Sequence, residues 1–196
     1  MSTFNSELVR HVPIINIVRN RDQLISLTED FQSENALIDD WIKHLSFAYE
    51  HHRLGLVSTT LIMYKSKLIG FYSARVYNLE AEDQEVKKFL DEGMNIPAVE
   101  ITHFAIHKDY SRQGVGTGAL AELIGDLMDV NNYAAIRYLF CWATKNKETL
   151  NFYEEKNGFI RMKTERDDNT ILMRFPIPDL IEVADILNMV DDVSNV

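Results

Sequence analysis

Residues 100–120 read Glu-Ile-Thr-His-Phe-Ala-Ile-His-Lys-Asp-Tyr-Ser-Arg-Gln-Gly-Val-Gly-Thr-Gly-Ala-Leu, with glycines at 114, 116 and 118. An apolar run rich in β-branched residues enters a glycine turn, and apolar residues at helical spacing follow, the pattern of strand, loop and helix. Glycines let main-chain amides come close to an anion, and the N-terminus of the following helix carries partial positive charge to the same place. The chemistry implied is a pyrophosphate cradle. Glycine spacing alone fits equally well a flexible turn of small residues packed under a helix. Two other phosphate motifs are excluded by context. A dinucleotide fold needs an acidic residue at the end of the next strand, and residues 137–143 read Arg-Tyr-Leu-Phe-Cys-Trp-Ala. A nucleoside triphosphate loop needs a Gly-Lys-Ser/Thr ending, which is absent.

The other reactive side chains are less directive. His103 and His107 flank the same strand, where a lone histidine is more often structural or exposed than catalytic. His11, His44, His51 and His52 show no ligand-set spacing, and His51-His52 is expected to end a helix facing solvent. Cys141 is the only cysteine; it excludes an internal disulfide and reads as a small core residue. No Cys/His cluster has zinc-site spacing, so no metal is expected.

The elements that must position these groups alternate in type. Residues 11–18 predict a strand with Pro13 at its start or on an edge. Helices are expected over 22–31 and 35–51, the second carrying Leu37, Ile38, Trp41, Ile42, Leu45 and Ala48 at helical spacing, with Ser33 or Asn35 as its cap. Segments 57–64 and 68–77 predict a hairpin around Lys65-Ser66-Lys67, and 80–92 a short surface helix. A strand over 99–107, a helix over 115–130, a strand over 137–143, a helix over 147–156 and a hairpin from 159–162 and 171–175 complete the series. Residues 1–177 are expected to form one domain, and 178–196 an acidic amphipathic tail that docks on its own domain or on a sister subunit.

Composition narrows the partners. The net charge is -10, of which the tail supplies half through Asp179, Glu182, Asp185, Asp191 and Asp192. Nucleic acid would meet repulsion from such a chain, whereas a cationic acceptor would not. No signal-peptide pattern or apolar run long enough to span a membrane is present, so a soluble cytoplasmic protein without membrane contact is expected. The apolar tail and exposed sheet edges make a homodimer plausible.

Three segments in order, Phe104-Ala105-Ile106, then Gly114-x-Gly116, then Asn151-Phe-Tyr-Glu-Glu-Lys-Asn-Gly-Phe159, resemble the acetyl-coenzyme A core of the GNAT N-acetyltransferases. The resemblance covers roughly residues 31–177. It implies a mixed α/β (α+β) fold, with a mostly antiparallel sheet flanked by helices and splayed in a V between two strands, and direct acetyl transfer from acetyl-CoA to a primary amine. It places the cosubstrate against Phe104, Ala105 and Ile106, with the Ile106 amide near the thioester oxygen, and against Ser111, Arg112, Gln113, Gly114, Val115, Gly116, Thr117 and Gly118. Ser111 stands where the family has Gln or Arg, a departure for which Arg112 is the expected substitute.

The resemblance also implies Tyr153 as the acid that protonates the departing thiolate; otherwise Tyr153 is a packing residue. Asn146 and Asn151 lie near the cofactor or are plain helix caps. Glu100 occupies a position that holds a base in one branch of the family. In apolar surroundings its carboxyl would be pushed up and relay a proton; at the strand's open end it would pair with a surface lysine. Residues 31–41 and 80–97 are more weakly similar to GNAT toxins that acetylate aminoacyl-tRNA. Lys43, His44, Arg53, Lys65, Lys67 and Arg75 would then have to supply a basic patch. An amine-bearing small molecule or peptide is the leading acceptor, tRNA the alternative, and a non-catalytic acetyl-CoA sensor the third reading.

Overall fold

A computed structural model of the chain describes residues 5–80 and 95–177. The expected helix at 80–92 and the tail at 178–196 lie outside them, apart from Glu80. The chain divides into two compact units, Met1–Arg75 with Glu100–Ala121, and Val76–Val99 with Glu122–Val196. The boundaries between the units fall inside two strands and one helix.

The first unit is built around strands β1 (Val9–Pro13), β2 (Ser58–Tyr64), β3 (Lys67–Leu79) and β4 (Ile96–Ile106), in that order, the last two continuing into the second unit. β1 pairs antiparallel with β2, Val9 opposite Tyr64 and Pro13 opposite Thr60, and β2 pairs antiparallel with β3. The hairpin turn falls at Lys65, whose φ is 56°, where two strands joined by two residues need a left-handed backbone. β1 stops earlier than its apolar run suggested. Pro13 ends the ladder on an edge strand, and Ile14–Ile17 turn into helix α1, which buries Ile14.

Helix α2 (Arg21–Thr28) is capped by Asn20, and α3 (Ala36–Lys43) by Asn35, whose side chain accepts from the Leu37 amide. Ser33 does not cap; its amide donates to both oxygens of buried Asp39. The single helix expected over 35–51 is broken at residues 44–47, and the chain resumes as α4 (Ala48–Arg53). Ile14, Leu24, Phe31, Ile42, Ala48, Leu61, Phe71 and Ala105 form the core of this unit, with Trp41 packed at its margin.

The second unit contains the start of β4, then β5 (Tyr138–Thr144), β7 (Thr170–Pro176) and β6 (Ile160–Asp167) in that spatial order. β7 pairs antiparallel with both β5 and β6. The sheet holds one parallel pair, as the helical crossover between β4 and β5 requires. That crossover is α5 (Val115–Val130), whose bounds match the sequence expectation, and α6 (Lys147–Asn157) connects β5 to β6. Ile96, Ala98, Tyr138, Phe140 and Leu172 form the core of this unit. The mixed α/β, largely antiparallel arrangement with flanking helices is the expected fold class. Among the described residues no helix is long and apolar enough to cross a membrane.

Candidate active site

The phosphate loop begins where β4 ends. His107 is buried, and its Nδ1 accepts from the Asp109 amide. In the neutral ring Nε2 must then carry the hydrogen, which it donates to the Asp30 carbonyl at 3.0 Å. Further ties come from the His107 amide to Ile69 and the Lys108 amide to Gln32. His107 is thus structural and anchors the loop entrance. Gly70 allows β3 to approach here, since a Cβ on it would lie 2.7 Å from Ile106 Cδ1 and 2.9 Å from the Ala105 carbonyl.

The loop itself has the backbone of an anion nest. Arg112 has a φ of 62° and Gly114 of 83°, left-handed conformations on either side of Gln113, as in the alternating backbone of an anion nest. Gln113 Nε2 donates to the Asp109 carbonyl and so braces the turn. The Gly118 amide closes the first turn of α5 onto the Gly114 carbonyl. Helix geometry then leaves the amides of Val115, Gly116 and Thr117 outside the intrahelical ladder. A Cβ added at Gly114 or at Gly118 would meet no protein atom within 4 Å. Gly114 is explained by its φ. Gly118 is exposed in the helix, and no protein atom crowds its Cα. The amides of Val115, Gly116 and Thr117 fit an anion such as a coenzyme A diphosphate, while the Gly118 amide is already bonded to the Gly114 carbonyl.

Glu100 is buried at 4% exposure, yet apolar groups alone do not surround it. Its Oε2 accepts from Arg75 Nε and Nη2, both at 2.7 Å, across β3 and β4. The partner is therefore an arginine on the neighbouring strand and not the surface lysine considered from sequence.

Beside it lies a cluster that sequence reasoning missed. The Trp41 ring stacks on His103 at 4.1 Å between centroids and 10° between planes, and also on Phe47 at 5.6 Å and 7°. His51 meets Trp41 edge-on at 5.1 Å, and His52 Nδ1 accepts from the Thr59 amide, so neither histidine simply faces solvent. Trp41 Nε1 donates to Ser73 Oγ, Ser73 Oγ is 2.9 Å from Thr59 Oγ1, and Thr59 Oγ1 donates to the Ala48 carbonyl. Ser73 and Thr59 are fully buried, and this relay satisfies both hydroxyls. Burial first, and the proximity of His51 second, lower the His103 imidazole to about 4. The signal was present only as Trp41 on a helix and His103 on a strand, and neither spacing announces a contact between residues so far apart in the chain.

In the second unit Tyr153 is buried on α6 between Phe152 and Phe159, with ring centroids at 5.0 and 5.1 Å. Its hydroxyl is hydrogen-bonded to the Cys141 thiol. Burial foremost, and the thiol beside it, push the phenol well above its ordinary value, so it holds its proton. Cys141 is buried in β5 as expected. Asn146 is the N-cap of α6, accepting from the Thr149 amide at 2.7 Å, and Asn151 is exposed within the helix. The helix ends on left-handed Gly158, φ 69°. Among the described residues no group of three or more His, Cys, Asp or Glu side chains could hold a metal.

The model of the family described as "Acetyltransferase (GNAT) family" matches residues 21–159, most of the chain and all of the loop. The chain belongs to the GNAT acetyltransferase family. It is thus an N-acetyltransferase, and GNAT enzymes draw their acetyl group from acetyl-CoA. No curated protein matches this GNAT sequence. Among solved structures, the complex of AtaT with acetyl-methionyl-tRNAfMet has a TM-score of 0.70 at 17% identity, over 91% of this chain and 98% of that one. AtaTR bound with AcCoA has a TM-score of 0.66 at 19% identity, over 87% and 95%. A tyrosine-to-phenylalanine mutant of KacT has a TM-score of 0.69 at 18% identity, over 87% and 95%. At such identities the likeness is one of fold.

Proposed function

We propose that this GNAT enzyme acetylates a primary amine by direct attack on the thioester of acetyl-CoA, and that the α-amine of an aminoacyl-tRNA is the acceptor class to test first. The nest from Arg112 to Thr117, with open space at Gly118, is the observation that carries the reading, because it supplies unspent amides to a diphosphate. When bound, acetyl-CoA supplies the activated acetyl group. The chain's own residues then have separate tasks. Val115, Gly116 and Thr117 hold the diphosphate through their amides. Main-chain groups of Phe104, Ala105 and Ile106 align the pantetheine arm, with the Ile106 amide polarising the thioester carbonyl. Tyr153, kept protonated by burial, donates to the departing thiolate, and the proton that the attacking amine gives up restores the phenol. The Asn146 side chain caps α6, and a contact of exposed Asn151 with the cosubstrate rests on the family resemblance. Glu100, tied to Arg75, fixes charge between β3 and β4 rather than relaying a proton.

The aminoacyl acceptor is favoured by a neighbour of similar fold solved with acetyl-methionyl-tRNAfMet. The net charge of -10 favours the second reading, a small cationic amine or basic peptide. Both are tested by incubating the protein with radiolabelled acetyl-CoA and either bulk aminoacylated tRNA or a panel of polyamines and basic peptides. Label on the tRNA fraction supports the first and label on the panel the second. Thiol release with none of them would sink the assignment of an amine acceptor.

A further inference from the structure

The hydrogen bonds around His103 fix more than its position. The Thr102 hydroxyl has one hydrogen, and it donates that hydrogen to the Ser73 carbonyl at 3.2 Å. Its oxygen can therefore only accept from His103 Nδ1, 3.1 Å away, so Nδ1 carries the imidazole's hydrogen. Nε2 is left with its lone pair. The ring is half-buried, and Nε2 is not among the described side-chain atoms that are buried without a partner. The ring plane is held against Trp41, which is itself fastened through Ser73 and Thr59 to the Ala48 carbonyl. Nothing in the loop chemistry or in the thiolate donor uses this arrangement.

We propose that His103 Nε2 is the acceptor-amine contact: it takes a hydrogen bond from an N–H of the incoming primary amine while the Trp41 and Phe47 rings flank the carbon that bears it. The proposal rests on the acetyl-transfer reading above. His103 stands three residues before Ile106 on β4, about 10 Å along a strand, a span that an imidazole and an amine divide between them. An imidazole that stays neutral presents a lone pair to an N–H donor, and aromatic faces tolerate an ammonium group before it sheds its proton. His51 on α4 and His44 ahead of it are the titratable groups lying against the same aromatic rings.

His103→Phe preserves a ring against Trp41 and deletes the lone pair, and His103→Gln returns an acceptor near the Nε2 position. With bulk aminoacylated tRNA as acceptor, kcat/KM for His103→Phe should fall roughly 2- to 13-fold, the range for a lost hydrogen bond between neutral groups. Its affinity for acetyl-CoA should stay within twofold, and His103→Gln should recover several-fold over His103→Phe. Equal activity in His103→Phe and the wild type, or no recovery in His103→Gln, would overturn the proposal. Nitrogen-15 spectra of histidine-labelled wild-type protein decide it independently of the true acceptor. Nε2 should resonate as an unprotonated nitrogen at pH 7 and shift when methylamine is added. A hydrogen on Nε2, or no shift, would overturn it as well. If the wild type leaves tRNA unlabelled while the methylamine shift appears, the acceptor class fails and the amine contact stands.

Discussion

Replacing Gly118 by alanine separates the cost of folding from the cost of binding. In helix α5 the new Cβ meets no protein atom within 4 Å, and no positive φ is recorded at this residue. Alanine is favoured over glycine in a helix by about 0.5–1 kcal/mol, largely because glycine loses more backbone freedom on folding. The variant should therefore be more stable than the wild type, by about 0.5 kcal/mol this close to the helix start, or roughly 1–2 °C in melting temperature for a chain of this size. The same methyl group would stand in the space assigned to the diphosphate. Acetyl-CoA affinity should fall about 10- to 100-fold, the loss of one or two charge-assisted hydrogen bonds. Gly114→Ala supplies the contrast: its φ of 83° makes the methyl strained whatever the space, costing about 1–2 kcal/mol. Differential scanning calorimetry and isothermal titration of both variants read the two effects apart. A Gly118→Ala protein that binds acetyl-CoA like the wild type would refute the placement of the diphosphate, and one that melts lower would refute the claim of empty space.

Tyr153→Phe removes the donor proposed for the thiolate and should lower kcat about 100-fold or more, with acetyl-CoA binding unchanged by calorimetry; near-normal turnover would return Tyr153 to a packing role. Ser73→Ala leaves the Trp41 indole N–H without its acceptor and the Thr59 oxygen without its donor and should cost about 1–3 kcal/mol in urea denaturation. Acid should destabilise the protein through histidine. His103 and His52 are both lowered from 6.5, His103 to about 4, chiefly by burial. The unfolded chain therefore binds these protons first, so their contribution is complete above about pH 6.5 and is lost as pH falls toward 4. The His103 interval alone would be worth about 3 kcal/mol at 1.36 kcal/mol per pH unit, reduced to roughly 1–2 because solvent reaches the ring. Urea titrations between pH 7 and 4 should show this loss, and His103→Phe should blunt it.

What was legible in the sequence was what local pattern determines. The helix over 115–130, the hairpin at Lys65 and the Asn35 cap follow from periodicity, turn length and a short polar side chain, and each stands where it was read. Pro13 was recognised as an edge residue, but apolar richness hid that it closes its strand and hands the chain to α1. The helix expected over 35–51 breaks at residues 44–47, where Trp41 and Phe47 stack across the break, a tertiary contact that periodicity does not encode. The same holds at the site. The glycine loop between β4 and α5 was legible because its residues are contiguous, whereas the Arg75–Glu100 pair and the Trp41–His103 stack join residues on different elements. His103 stands on β4 and Trp41 on α3, and only the fold brings the two rings together.

The central claim is that the amides of the loop from Arg112 to Thr117 grip the diphosphate of a coenzyme A ester. Isothermal titration with acetyl-CoA, beside S-acetylpantetheine, which carries the same thioester without the diphosphate, tests it most directly. The account predicts saturable heat with acetyl-CoA and roughly 100-fold weaker binding of the truncated ester. Equal affinity for the two esters, or no heat with acetyl-CoA, would contradict it.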